Sequence, residues 1–252
     1  MPFPNLEGKH AGRPYVTAPR LLDYSESQGH ARSAAPRAVV FAWQPRLEDW
    51  VRERRDHHEV RSVGVERLLR LTPDLGFARL PIGAPTAAIA VEELSARGTE
   101  LFIGVGTAGA VSERLAVGDL AVCSAALRDE GTSHHYARPE PFARPDAGLT
   151  ARLREALPAA TYGPSWTTDA PYRETAEEIA QYRADGILTV EMEASCLFTV
   201  ARITGTAAAA AFVVSDVLHG EQWEPHFRSP DVLRGLWTLF AAAEACLSSS
   251  LR

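Results

Sequence analysis

The sequence alternates short, uninterrupted apolar runs with segments whose apolar residues recur every three or four positions. A short apolar run is typical of a buried strand, whereas the longer period is typical of an amphipathic helix. The alternation favours an α/β fold with a largely parallel or mixed sheet. We predict strands at residues 38–43, 100–105, 119–127, 187–190 and 207–214, a further strand ending at 80–83, and helices at 47–56, 85–97, 173–184, 191–203 and 230–251.

The interval between the strands predicted at 100–105 and 119–127 limits how the sheet can be connected. A crossover between parallel strands needs a dozen or more residues, usually a helix, and residues 110–117 are too few for one. We therefore expect some antiparallel or barrel-like pairing. No linker or internal repeat divides the chain, so we predict one domain over residues 38–252, preceded by an irregular arm over residues 1–37.

Gly104, Gly106 and Gly109 fit the pattern G-x-G-x-x-G, and Asp129 follows where a ribose-binding acid would stand. This pattern is typical of dinucleotide-binding folds, and one interpretation is therefore an NAD-dependent oxidoreductase. The missing helix after Gly109 speaks against it. The glycines could instead form a tight turn with positive φ, or the amides of Gly106 and Thr107 could form a cradle for an anion or substrate. We favour the cradle.

Composition excludes several functional classes. Of 252 residues, 46% are hydrophobic, and the net charge of −6 lacks the basic excess of a protein that binds a nucleic-acid strand. The first residues contain no apolar signal region, and no apolar run is long enough to span a membrane. The odd number of cysteines, each in an apolar stretch, indicates buried thiols in a reducing compartment. We expect a cytoplasmic enzyme or binding protein.

Acidic residues stand at two junctions between a strand and the segment after it. Glu191 and Glu193 flank Met192, where they could bind a ligand or simply favour a helix N-terminus. Asp216 follows the apolar run 207–214 and should stand at the carboxyl end of a strand, where α/β folds bind ligands and where a carboxyl group could donate a proton. The alternative is a cap for the following segment.

Several other residues have a plain and a functional interpretation. Trp166 and Tyr172 flank a Thr-rich turn containing Thr168, where the aromatic rings could line a pocket for a planar base or simply pack. The pairs His134–His135 and His57–His58 could suggest a metal, but adjacent side chains diverge, and no further ligands follow at suitable spacing. We expect no metal.

These segments, taken in order, resemble the nucleoside phosphorylase-I superfamily, which includes purine nucleoside phosphorylases, uridine phosphorylases and nucleosidases. The resemblance covers residues 80–220 and the C-terminal helix. It rests on GAPTAAIAVEEL (83–94), VGTAGAV (105–111), RDEGTSHHY (128–136), WTTDAPYRET (166–175), VEMEAS (190–195) and VVSD (213–216).

The resemblance implies a phosphorylase/hydrolase-like α/β fold, with a central twisted mixed sheet, partly barrel-like, flanked by helices. Its active sites lie near subunit interfaces of dimers or hexamers. By resemblance, Glu193 accepts hydrogen bonds from the ribose hydroxyls, with Met192 against the sugar and Glu191 beside it. Gly106 and Thr107 match a turn that contacts phosphate or the nucleophilic water.

At the base end, Ala108, Gly109 and Ser215 match positions near the base, and Asp216 matches an acid that protonates or hydrogen-bonds the purine N7. Arg228 stands at a spacing from which it could orient Asp216. His10 could reach the sugar 5′ position of a neighbouring subunit.

The sequence departs from the family pattern at the phosphate. Many phosphorylases carry an arginine where this chain has Gly104, and a phosphate loop whose arginine stands one position later than Arg46 does here. The sequence therefore lacks the two guanidinium groups that would recognise phosphate in a bidentate way. The candidate phosphate-binding residues that remain are Arg46 and Thr107.

Departures at the base favour purines over uracil. Pro171 stands where a stacking phenylalanine is common, and Thr175 and Glu177 replace the glutamine and arginine that read uracil. We therefore expect a nucleoside phosphorylase with a purine preference, acting in purine salvage, with phosphate as co-substrate, no other cofactor, and a homo-oligomeric state. A hydrolytic nucleosidase using water is the first alternative, and a non-catalytic nucleoside-binding protein is the second.

Overall fold

The computed structural model describes residues 4–30, 34–60, 68–220 and 222–251. Within these ranges the helices are α1 (Ala18–Ser27), α2 (Pro45–Arg54), α3 (Ala84–Ser95), α4 (Ala147–Ala156), α5 (Ala176–Ala184), α6 (Ala194–Thr204) and α7 (Pro230–Ser250). The strands are β1 (Ala38–Ala42), β2 (His58–Val60), β3 (Leu68–Arg70), β4 (Leu75–Arg79), β5 (Leu101–Ala110), β6 (Leu120–Asp129), β7 (Phe142–Ala143), β8 (Thr161–Thr168), β9 (Thr189–Glu191), β10 (Ala207–Val217) and β11 (Glu224–Pro225).

The strands form one mixed sheet that partly closes on itself. The pairing order is β11-β10-β6-β8-β9-β5-β1-β4-β3-β2, with β7 paired to β6. β5 and β10 also pair in parallel, so the path from β5 through β10, β6, β8 and β9 returns to β5 as a five-stranded barrel. β6 runs antiparallel to β10. The predicted mixed, partly barrel-like sheet is confirmed.

Helices cover both faces of the sheet. Helices α3 and α6 pack on one face, where Leu94 and Leu197 belong to the same buried cluster as Phe41 and Phe102, whose rings stack with centroids 5.1 Å apart. Helices α4 and α7 cover the other face, and Phe240 packs edge-on against Phe77. Each fully buried side chain of this size contributes about 1.5–3 kcal/mol of hydrophobic stabilisation.

Local signals explain where the helices begin and end. Thr175 and Glu178 form a capping box at the start of α5, and Ser229 accepts a hydrogen bond from the Val232 amide at the start of α7. Helix α6 ends at Gly205, whose φ of 75° suits glycine. The predicted elements at 38–43, 119–127 and 207–214 are present with boundary changes of a few residues.

The glycine-rich segment 104–109 differs from the predicted turn, because it lies inside strand β5. None of Gly104, Gly106 and Gly109 has a positive φ. A Cβ at Gly104 would lie 3.0 Å from the Leu197 side chain and 3.2 Å from the ring of Trp43. These glycines therefore allow close packing across a strand. The helix required after a dinucleotide-binding turn is absent from 111–119, and the NAD-dependent interpretation is wrong.

Three further expectations need correction. Thr167 and Thr168 end strand β8 and form no turn; the pair Gly163–Pro164 interrupts the apolar pattern that would have revealed this strand. The strand predicted to end at 80–83 ends at Arg79. The arm predicted to be irregular contains α1, which Thr17 caps. Residues 1–3 and 31–33 of that arm lie outside the described residues.

No helix in the described ranges combines the length and apolar character needed to cross a membrane. The three cysteines are free and buried. Within the same ranges, no grouping of three or more His, Cys, Asp or Glu side chains could hold a metal ion.

Candidate active site

A cleft of about 920 Å³ opens where strands β1 and β10 reach their carboxyl ends. In α/β sheets ligands bind at this edge, because side chains beyond the strand ends are free to face a common space. Thr107, Ala108 and Gly109 on β5 contribute to the wall of the cleft. A second cleft of about 330 Å³ lies on the far side of β6. We take the larger cleft as the candidate site because residues of the motifs at 105–111, 166–175, 190–195 and 213–216 line it.

Strand pairing sets the length of this cleft. Gly109 is paired with Val190 of β9 on one side and with Asp216 of β10 on the other. Two strand spacings, about 10 Å in total, therefore separate the backbone beside Glu191 from the backbone of Asp216. A Cβ at Gly109 would lie 2.4 Å from Leu218, so this position has no room for a side chain.

Glu191, the last residue of β9, is 6% exposed and fully engaged. Its Oε1 accepts a hydrogen bond of 2.6 Å from the Thr167 hydroxyl, and its Oε2 accepts hydrogen bonds from the amides of Glu193 (2.8 Å) and Ala194 (2.7 Å). Burial raises the pKa of Glu191 to about 7, although these hydrogen bonds act in the opposite direction. The side chain fixes the junction between β9 and α6.

Glu193 stands immediately before α6 and is 7% exposed. Its Oε1 accepts a 2.6 Å hydrogen bond from the amide of Gly83, the residue that precedes α3. Burial raises the pKa of Glu193 to about 8, and the charge of Glu191 adds to the effect. This hydrogen bond links the starts of α3 and α6 and fixes the Glu193 side chain in the wall of the cleft.

Asp216 stands at the opposite end of the cleft and is 9% exposed. The register of β10 against β5 shifts between Val214 and Asp216, as at a β-bulge, and a bulge re-aims the side chains beside it. Oδ1 of Asp216 accepts a 2.7 Å hydrogen bond from the Ser215 hydroxyl. Oδ2 accepts a 2.9 Å hydrogen bond from the indole nitrogen of Trp223. Asp216 therefore faces the cleft as a doubly bonded acceptor.

Glu174 is a second acid at this end of the cleft. It follows the short 3-10 helix Pro171–Arg173 and precedes Thr175, the cap of α5. Burial and the charge of Asp216 together raise the pKa of Glu174 to about 7. The sequence patterns did not single out Glu174.

The third part of the cleft lies between β1 and β9. Strand β1 pairs with β5 only as far as Val105, and β9 pairs with it only from Gly109 onward. In the described sheet, residues 106–108 of β5 thus lack a strand partner on this side. Gln44 reaches across this gap and donates a 3.0 Å hydrogen bond to the hydroxyl of Thr107. The cradle of the Gly106 and Thr107 amides stays a prediction: Thr107 lines the cleft at this edge, and Gly106 does not.

Trp43 lies against the position of Gly104, so a larger residue there would require the ring to move. The ring of Trp43 lies within 3.2 Å of the place that a Cβ of Gly104 would occupy and within 3.3 Å of that of Gly106. The aromatic ring therefore covers the strand where many phosphorylases place a guanidinium. Arg46, in the first turn of α2, is exposed and lies outside the cleft lining.

The cleft brings most of the predicted residues together. Its lining includes Tyr172, Thr107, Ala108, Gly109, Glu191, Met192, Glu193, Ser215 and Asp216. Six predicted residues do not line it: Gly106, His10, Arg46, Trp166, Thr168 and Arg228.

The structure gives physical reasons for these corrections. Trp166 is fully buried in the core, and its indole nitrogen donates a 2.9 Å hydrogen bond to Asp129. Thr168 is buried and accepts a hydrogen bond from the amide of Ala170. Arg228 is exposed, and the contacts predicted for it with Asp216 are made by Ser215 and Trp223.

Sequence reasoning missed several lining residues that stand after strands or in irregular segments. A usable signal existed for two of them, since Trp43 and Gln44 directly follow a predicted strand. The main residues missed are Trp43, Gln44, Ile82, Glu174, Arg183, His219, Trp223 and Phe227.

The chain is an α/β protein with a mixed sheet that closes into a five-stranded barrel. A cleft with acids at both ends lies at the carboxyl edge of this sheet. The family model of the phosphorylase superfamily matches residues 36–233, and the chain belongs to that superfamily.

Individual relatives agree with this assignment. The chain is 39% identical to guanosine phosphorylase from Halorubrum lacusprofundi, over 56% of this chain and 60% of that protein. It is 35% identical to uridine phosphorylase from Thermococcus kodakarensis, over 53% of this chain and 54% of that protein. The matched part therefore spans somewhat more than half the length of these curated relatives.

The fold agrees with a solved relative over a larger share of the chain. The crystal structure of uridine phosphorylase from Vibrio fischeri ES114, complexed with 6-hydroxy-1-naphthoic acid, superposes with a TM-score of 0.68 at 26% identity. The superposition covers 86% of this chain and 90% of that one.

Proposed function

We propose that the protein is a nucleoside phosphorylase, a pentosyltransferase that replaces the base of a nucleoside with phosphate and prefers purine bases. The observation that carries the proposal is the placement of Glu193 and Asp216 at opposite ends of one cleft, on backbone segments held apart by Gly109. The names of the relatives, guanosine phosphorylase and uridine phosphorylase, support the same reaction.

The sugar end supports binding of ribose. Glu193 would accept hydrogen bonds from the ribose 2′ and 3′ hydroxyls, while Met192 would lie against the sugar face. Cleavage of the glycosidic bond builds positive charge on the sugar. The donating ribose hydroxyls and this developing charge both favour the ionised form of Glu193, which then stabilises the transition state. Glu191 does not need to touch the substrate, because its hydrogen bonds already hold the backbone of Glu193.

Neutral donors would bind phosphate. The hydroxyl of Thr107, the amide of Gln44 and the unpaired edge of β5 at 106–108 face the gap between β1 and β9. Each hydrogen bond to the charged phosphate is worth about 1.5–3 kcal/mol, but none of these groups adds the positive charge and bidentate geometry of a guanidinium. We therefore propose weak phosphate binding, with phosphate as co-substrate and without any other cofactor.

The base end supports a purine. Asp216 is an acceptor in an enclosed position, suited to an N–H group of the base. Asp216 matches the acid of purine-specific members of the family, and the relative from Halorubrum is named for guanosine. We propose guanosine-like nucleosides as the preferred substrates and purine salvage as the role.

We also propose a homo-oligomer, a dimer or hexamer, located in the cytoplasm. Tyr15 is 90% exposed and adjoins exposed Val16, and apolar side chains in such positions suit a subunit contact. Lys9, within 2.8 Å of the ring of His135, attaches this arm to the body of the chain. His10 does not line the cleft of its own chain and would act on a neighbouring one. Light scattering of the wild type and of Tyr15→Ser tests this; a monomeric wild type would contradict it.

The test of the reaction is base release from guanosine and uridine, with and without phosphate, with identification of the sugar product. We expect release only with phosphate, ribose 1-phosphate as the product, and faster reaction of guanosine. Glu193→Gln serves as the inactive control, and Glu155→Gln, an exposed change on α4 outside the cleft, as the active one. Equal release without phosphate would instead identify hydrolysis, and tight binding without release would identify a binding protein.

A further inference from the structure

The base end of the cleft contains two carboxyl groups from separate elements. Asp216 belongs to β10, and Glu174 stands between the 3-10 helix at 171–173 and the start of α5. Both side chains line the cleft. A pair of carboxyl groups in one partly enclosed site retains a proton more readily than either group alone, because two like charges repel.

The two carboxyl groups differ in their partners. Both oxygens of Asp216 already accept a hydrogen bond, from Ser215 and from Trp223. Among the described residues, the carboxyl oxygens of Glu174 accept no hydrogen bond, and its electrostatic neighbours, Asp216 and Glu178, are both acids. Asp216 is thus arranged as an acceptor, whereas Glu174 has no donor that would favour its charged form.

Other charged groups around the cleft do not offset this arrangement. Arg183 on α5 directs its Nε to the backbone oxygen of Val111, and its Nη1 lies 3.7 Å from Glu113. The ring nitrogen of His219 contacts the backbone oxygen of Leu115. Burial together with the charge of Asp216 raises the pKa of Glu174 to about 7, so a proton is available on it at neutral pH.

We propose that Glu174 donates the proton that the departing purine takes, while Asp216 orients the base and keeps the proton on Glu174. This inference rests on the proposed phosphorolysis. It assigns a catalytic role to Glu174, a residue of the segment 166–175 to which the family resemblance gives no function.

The step balances as follows. The bond between ribose C1′ and purine N9 breaks, and its electron pair passes into the base. A phosphate oxygen forms the new bond to C1′. The carboxyl proton of Glu174 passes to N7, so the base leaves neutral, and Glu174 takes a proton from water before the next turnover. General acid assistance of this kind is worth about 10²–10⁴-fold in rate.

The test compares guanosine with 7-methylguanosine. The methyl group occupies N7 and makes the base cationic, so that base leaves as a neutral species without an added proton. We would measure kcat/KM for both substrates, with saturating phosphate, from pH 5.5 to 9, in the wild type, Glu174→Gln, Glu174→Asp and the control Glu155→Gln on α4.

For guanosine, we expect wild-type activity to fall as the pH rises above about 7, because the acid loses its proton. Glu174→Gln should lose about 100-fold at pH 6.5 and no longer show this fall. Glu174→Asp should restore the pH dependence at a lower rate. For 7-methylguanosine, Glu174→Gln should stay within about threefold of the wild type, because no proton is needed.

Two results would overturn the inference: unchanged guanosine turnover in Glu174→Gln, or equal losses on both substrates, which would indicate a purely structural role. Thermal melting of each variant checks that it is folded. If the folded wild type releases no base from either substrate in the presence of phosphate, the proposed function itself fails, and the inference fails with it.

Discussion

The two ends of the cleft are built differently. At the sugar end, Glu191 and Glu193 are held by backbone amides at the starts of two helices. At the base end, Asp216 is held by two side chains, one of which belongs to Trp223, which is 58% exposed. Tyr172, on the same side of the cleft, is 99% exposed. The sugar end is therefore part of the core scaffold, whereas the base end depends on irregular segments.

The difference indicates which part of the substrate can vary. Groups on rigid elements are placed more accurately than groups on loops, and loops tolerate substitution better. Ribose is common to all nucleosides, and the fixed end suits it. The base differs between nucleosides, and changes at the exposed Trp223 and Phe227, which line the cleft and lie outside strand β11, can alter its recognition without changing the strands of the sheet.

The largest effect should come from the sugar end. Glu193→Gln removes the carboxyl group that would become negatively charged opposite the sugar in the transition state, and we expect kcat/KM to fall about 10³-fold on guanosine and uridine alike. Steady-state base release with saturating phosphate measures this. A loss confined to one base would show that Glu193 does not act on the sugar.

Asp216→Asn should separate the two ends. We expect a loss of about 10²-fold in kcat/KM for guanosine and of less than about 10-fold for uridine, because only the purine uses the acceptor at this position. The ratio of the two losses is the measurement. A ratio near one would remove Asp216 from purine recognition.

Trp223→Phe keeps an aromatic ring and removes the indole N–H that bonds to Oδ2 of Asp216. A hydrogen bond to a charged group is worth about 1.5–3 kcal/mol, and we expect a loss of about 10-fold in kcat/KM for guanosine because the exposed indole is partly replaced by water. The sugar end should be unaffected, so the KM for phosphate should not change. Full guanosine activity in this variant would show that Ser215 alone orients Asp216.

The smallest expected effect is on the melting temperature of the protein as a function of pH. The pKa values of Glu191 (about 7) and Glu193 (about 8) are raised by burial above the ordinary value of 4.5. The folded chain therefore binds more protons than the unfolded chain, and this stability, fully present below about pH 4.5, is lost as the pH rises to about 8. We expect the melting temperature to fall between pH 5 and pH 8, by calorimetry, and to fall less in Glu193→Gln. If the melting temperature of Glu193→Gln depended on pH as steeply as that of the wild type, a raised pKa of Glu193 would not be the cause.

The sequence predicted the elements that combine an apolar run with an acid at its end. Asp216 and Glu193 could be placed because each follows a strand whose period is clear. Trp223 could not, since it stands in a segment without a period. Glu174 stands near the start of the segment 173–184 predicted as a helix, and that pattern does not indicate that its side chain reaches the cleft through the tertiary fold. Trp166 was placed in the pocket incorrectly, because an aromatic residue near a motif packs inward as readily as it faces a ligand. The contact between Trp43 and Gly104 joins distant parts of the chain, so it was invisible before the strands were paired.

Gly109 lies between the strands that carry the two sets of acids, and backbone hydrogen bonds fix the distance between those sets. The distance between the two sets of acids is therefore one strand spacing on each side of Gly109. Changes in the loops can alter which groups the cleft accepts at its end, but they cannot increase this distance. A redesign toward a longer substrate would have to change the pairing of β5 itself, and with it the closure of the barrel.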